Sequence, residues 1–152
     1  MPPAQPPYLL DTNILVALVR GGALGTAIDT QFSLRSSPYK PVISVVSAGE
    51  LLSLARKFGW EGRKLTVVRR LLAQLVWIDI NTTDIIEAYA ELDFFSDQNG
   101  RHMGKNDLWI AATAKTSHTT LLTTDDDFDH LYPVHINRIV VDEKTGQPRN
   151  RP

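Results

Sequence analysis

Short apolar runs alternate with helical stretches through almost the whole chain, and this alternation restricts the fold more than any other feature. Runs at 8–10, 41–46, 76–80 and 119–124 read as strands, with 136–141 as a fifth. The run from Pro41 through Val46 is apolar and β-branched almost throughout, as a strand buried on both faces would be. Strands separated by helices predict an α/β fold. Its core is a single parallel sheet of four to five strands, covered by helices on both faces. At 152 residues the chain has the size of one domain, able to bury roughly two-thirds of the surface its unfolded form exposes.

The helices have readable ends. Asp11 or Thr12 caps a helix that Gly21-Gly22 stops, and a weaker helical pattern occupies 23–36. Ser47-Ala48-Gly49-Glu50 reads as a capping box opening a helix towards Gly59, and a second helix follows from about Glu61. Asn81-Thr82-Thr83-Asp84 caps another, and 96–105 is the longest internal loop. It delivers the chain to a helix around Asp107 whose body is small and apolar. Leu108, Ala111 and Ala112 share one face there, so this helix is expected to be buried. The boundaries that result are a proline-rich leader at 1–7, one domain at 8–141 and a mobile tail at 142–152.

Composition excludes several chemistries. Without cysteine there are no disulfides or thiolate sites, and none of the four histidines makes an H-x3-H pair or sits in an HExxH pattern, so any metal must be held mainly by oxygen. The formal charge of −1 gives the whole molecule no pull on nucleic acid, so affinity for a polyanion requires a local patch. No run approaches a membrane span and the leader is unlike a signal peptide, so a soluble, cytoplasmic protein is expected.

Four acids stand at junctions. Asp11, Glu50 and Asp125 each closely follow a strand, and Asp107 opens the buried helix. Alone, each has an architectural explanation: a cap, half of a capping box, a dipole partner, an acidic turn. Together they point to one rim, because a parallel sheet binds ligands beyond the carboxyl ends of its strands. Gathered carboxylates repel one another unless a cation intervenes. A hard divalent ion such as magnesium or manganese suits such a ligand set, and beside a phosphodiester it activates water and stabilises the leaving oxygen. The chemistry implied is hydrolysis of a nucleic-acid backbone.

The stretches Leu9-Leu10-Asp11-Thr12-Asn13, 43–51, 106–112 and 122–128 resemble the successive motifs of the PIN domain, and more narrowly the VapC-type toxins of toxin-antitoxin pairs. The resemblance runs from about Tyr8 to Val141. It implies a magnesium- or manganese-dependent endoribonuclease with Asp11, Glu50, Asp107 and Asp125 as catalytic, metal-binding acids. Asp127 shares or replaces the role of Asp125. Thr12, Asn13 and Thr124 match positions that are commonly polar in the family and would orient a carboxylate or water. The resemblance further implies an RNA substrate, a small antitoxin partner and a homodimer. The alternative is a PIN-like binding module without catalysis, whose signature would be loss of acids; all four are present.

Arg101 and Lys105 precede the buried helix and are candidates for substrate contact. Arg56, Lys57, Arg63, Lys64, Arg69 and Arg70 lie within fifteen residues and suit phosphates, an acidic partner or plain solvent. Trp77 in a strand and Trp109 in the buried helix are expected to pack, and Trp60 is undetermined.

Overall fold

The structure is a computed structural model and describes residues 7–149. In chain order it contains β1 (Tyr8–Leu10), α1 (Thr12–Arg20), α2 (Gly22–Phe32), β2 (Val42–Ser44), α3 (Val45–Lys57), α4 (Arg63–Ala73) and β3 (Val76–Ile78). There follow α5 (Thr83–Gln98), α6 (Lys105–Ser117), β4 (Thr120–Thr123) and β5 (Asn137–Val140). The strands form one parallel sheet in the order β3-β2-β1-β4-β5. This is the expected architecture, with five strands.

The two-residue period of a strand sorts the core into two layers. Leu10, Ile43 and Leu122 point to one face, where they meet Ile14, Leu51, Val68 and the rest of the α1–α4 layer. Their neighbours Leu9, Val42 and Leu121 point to the other and pack against Leu92, Leu108 and Ile110 of α5 and α6. Leu108, Ala111 and Ala112 are all fully or almost fully buried, so α6 is the interior helix its composition predicts. Trp109 stacks on Tyr89 of α5 with ring centroids 4.1 Å apart.

Several boundaries differ from the sequence reading. The second strand ends at Ser44, because the Ser44 hydroxyl accepts a hydrogen bond from the Val46 backbone N–H at 3.1 Å and starts α3 there. Val45 and Val46 are therefore helical despite their β-branching, Ser47 is inside the helix, and Ser47 through Glu50 is not a capping box. The α5 helix runs on to Gln98, which shortens the internal loop to 99–104. Trp77 does not pack inside: β3 is an edge strand, and Val76 and Trp77 are 46% and 49% exposed.

The leader residues 1–6 lie outside the described residues, as do the last three. Residues 142–149, expected as a mobile tail, instead turn back on the domain. The Asp142 carboxylate accepts from the Lys144 and Thr145 backbone N–H groups at 2.8 and 2.9 Å, and the Arg149 N–H donates to the Val140 carbonyl at 2.7 Å. Gly146 adopts φ +71° and approaches α2 so closely that a Cβ would lie 2.9 Å from that of Ala27. Among the described residues, no helix is long and apolar enough to cross a membrane.

Candidate active site

The strand order reverses beside β1. From β1 the chain moves to β2 and β3 on one side, then returns to β4 and β5 on the other. The crevice beyond the carboxyl ends of β1 and β4 is thus the ligand position that parallel-sheet topology favours. Asp11 follows β1 directly and is 4% exposed. It caps α1, its Oδ1 accepting from the Thr12 backbone N–H at 2.7 Å. Its Oδ2 accepts from the Thr123 hydroxyl at 2.7 Å and the Asn13 amide at 3.3 Å. The cap and the site are therefore one residue.

The remaining acids converge on it from three other segments. Asp11, Glu50, Asp107 and Asp125 all line one cleft of about 760 Å³. Glu50, in the second turn of α3, accepts from the Thr12 hydroxyl at 2.7 Å and from the Asn106 amide at 3.2 Å. Asp107 stands in the first turn of α6. Asp125 follows β4, its backbone N–H donating to the Thr123 hydroxyl at 3.0 Å. One threonine hydroxyl thus links two of the acidic segments.

Burial and mutual repulsion set the electrostatics. Burial pushes the Asp11 carboxyl up to about 6; hydrogen bonds from Thr123 and Thr12 oppose this, and the charges of Glu50 and Asp125 add to it. Asp107 is pushed up to about 7, first by burial and then by Asp11, Asp127, Asp125 and Glu50. That cluster is short of positive charge. Its oxygen-only donor set and excess of negative charge fit a hard divalent cation better than any other group.

Asp127 is exposed and absent from the cleft lining, although its carboxylate lies within 4.8 Å of those of Asp125 and Asp126. Burial and then Asp125 raise its pKa, and Arg101 opposes the shift. Arg101 is therefore close to the acidic turn but, like Lys105, exposed and outside the cleft wall. Asn13 accepts from the Thr124 backbone N–H at 3.2 Å, so Thr124 contributes its main chain rather than a side-chain bond.

Sequence reasoning missed Thr123, Asn106, Arg20 and Glu143. Thr123 and Asn106 were visible only as neighbours of the named acids. Arg20 had a readable signal: Asn13, Val16, Ala17 and Arg20 fall at i, i+3, i+4 and i+7, one helical face, and all four line the cleft. Glu143 reaches the cleft from the C-terminal turn, where nothing in the sequence suggested structure.

Fold and site together define a parallel-sheet α/β protein with a carboxylate cluster at its topological switch point. The sequence profile of the PIN domain matches residues 8–133, and the chain belongs to the PIN domain family. Solved structures similar in fold include DNA-bound VapBC from Salmonella typhimurium. It is 22% identical with a TM-score of 0.73, over 88% of this chain and 97% of that one. VapBC-1 from nontypeable Haemophilus influenzae is 24% identical with a TM-score of 0.71, over 88% and 96%. A toxin-antitoxin complex from Klebsiella pneumoniae is 25% identical with a TM-score of 0.63, over 82% and 92%. No curated protein sequence matches the chain.

Proposed function

We propose that this chain is a metal-dependent endoribonuclease and the toxin of a VapC-type toxin-antitoxin pair. The observation that carries the reading is the convergence of Asp11, Glu50, Asp107 and Asp125 in one cleft, with Asp107 pushed up to about 7 partly by its acidic neighbours. Its membership of the PIN family and its likeness in fold to toxin-antitoxin complexes support the biological half.

In this reading the four acids hold magnesium or manganese, and Asp127 borders the site. The bound ion supplies Lewis-acid stabilisation of the phosphate and an activated water. The chain's own part is positioning. The Thr123 hydroxyl and Thr12 N–H fix both oxygens of Asp11, while the Thr12 hydroxyl and Asn106 amide fix both oxygens of Glu50. Asn13 pins the backbone at Thr124 and so aims the turn that carries Asp125. Arg101, near that turn, and Lys105, opening α6, would meet phosphates outside the cleft. A small antitoxin covering the cleft, a homodimer and a cytoplasmic location complete the proposal.

The test is cleavage of single-stranded RNA by highly purified protein. Chelation should abolish it and magnesium or manganese restore it. Undiminished cleavage in excess EDTA would sink the mechanism.

A further inference from the structure

An acidic cleft repels the polyanion it is proposed to cut, so the strand must be held by positive charge nearby. Arg20 is the sole basic side chain among the described residues that line the cleft. It lies at the far end of α1 from Asp11, about 13 Å away at 1.5 Å per residue. Its guanidinium sits over the ring of Phe58, 5.0 Å from the centroid. Phe58 is 46% exposed, and its ring lies 5.4 Å from that of Trp60. The Lys64 ammonium then sits 5.0 Å from the Trp60 ring centroid. Beyond Trp60 a groove of about 790 Å³ is lined by Arg56, Arg69 and the half-exposed Trp77, with no acid in its wall.

Two neighbouring rings with a cation at each end thus form a strip from the cleft wall across the turn after α3 and into the basic cluster. A single nucleic-acid strand offers the matching pattern, since each base has a flat face for stacking and each linkage a negative charge. An acidic peptide would satisfy the charges but leave the rings without flat partners. Resting on the nuclease reading of the cleft, we infer that Arg20, Phe58, Trp60 and Lys64 form the track for the single-stranded flank of the RNA. The scissile phosphate lies at the carboxylates and the flank runs past the end of α1. The strip would grip the strand a few nucleotides from the cut.

Binding of a fluorescein-labelled single-stranded oligouridylate to the full chain, in EDTA and low salt, tests the track without cleavage. Phe58→Leu keeps apolar area but removes the stacking face, and Arg20→Gln removes the charge; both positions are exposed, and unchanged melting temperatures establish that the variants fold. Each should weaken binding at least about fivefold. Arg20→Gln should also flatten the log–log salt dependence by about 0.7. Duplex RNA of equal length should bind more weakly. Three outcomes overturn the track: wild-type affinity weaker than about 0.1 mM, duplex binding as tight as single strand, or undiminished binding by Phe58→Leu. If Phe58→Leu binds and cleaves like wild type, the nuclease reading stands and this surface belongs to a protein partner. If wild type binds through the strip yet does not cleave with magnesium, the track stands and the nuclease reading fails.

Discussion

The Thr12 hydroxyl donates to Glu50 across 2.7 Å while the Thr12 backbone N–H, also at 2.7 Å, donates to Asp11. One residue therefore orients two carboxylates, one capping α1 and the other within α3, and loss of its hydroxyl should disturb metal binding before it disturbs the fold. Thr12→Val keeps the shape and the backbone bond but frees Oε1 of Glu50, leaving only the Asn106 amide on Oε2. We expect a melting temperature close to wild type and about a 10- to 100-fold rise in the magnesium concentration for half-maximal cleavage. Thr12→Ser should restore most of it. A Thr12→Val enzyme with an unchanged magnesium titration would show that Glu50 needs no such guide.

Asp107→Asn separates architecture from metal binding. Were Asp107 chiefly a dipole partner for α6, the variant would lose a few tenths to about one kcal/mol without metal. In a crowded cluster, removing a charge relieves repulsion, so the metal-free variant should be at least as stable as wild type. Wild type should gain about 2.7 kcal/mol at free magnesium roughly one hundred times its Kd, and the variant much less. Thermal melts with and without magnesium read both effects.

The raised carboxyls give a pH dependence of definite sign. Asp11 and Asp107 rise from an ordinary 3.8 to about 6 and about 7, so between those values the folded state holds protons the unfolded chain has released. Their contribution is fully present below pH 3.8 and is lost as pH rises through about 6 to 7. In EDTA, Asp107→Asn should remove its share of that decline, which a comparison of melting temperatures from pH 4 to 8 would read. If the variant kept the full slope, the burial and repulsion assigned to Asp107 would be wrong.

Asp125 and Asp127 should separate sharply. Asp125 lines the cleft, whereas Asp127 is exposed, outside the wall and already favoured in its charged form by the nearby cation of Arg101. Asp125→Asn should cost cleavage at least about a hundredfold, and Asp127→Asn about tenfold or less. Steady-state rates at saturating magnesium decide between them, and a reversed order would move the fourth acid to Asp127.

The sheet was legible because its strands are short apolar runs separated by helices, a pattern few other folds produce. Asp11, Asp107 and Asp125 were legible because each stands next to a strand end or a helix start, whereas Glu50, in the second turn of α3, was legible through its motif. What escaped depended on single contacts. The Ser44 hydroxyl capture of the Val46 N–H starts α3 early and overrides the β preference of Val45 and Val46. Thr123 has no chemistry of its own to announce its bond to Asp11. Trp77 reads as buried from its strand, but its exposure depends on β3 being an edge, which only the pairing order reveals.

The C-terminal turn has a consequence for the sheet as a whole. Strand β5 is its outer edge on one side, and an uncovered edge is a template on which another chain can extend the ladder. Here residues 142–149 fold back so that Val141 bridges Pro148 antiparallel, with the Arg149 N–H on the Val140 carbonyl. Proline has no N–H to offer an incoming strand. The fold thus ends in its own stopper, and a chain cut after Val141 would lose that protection and expose a surface prone to self-association through its last strand.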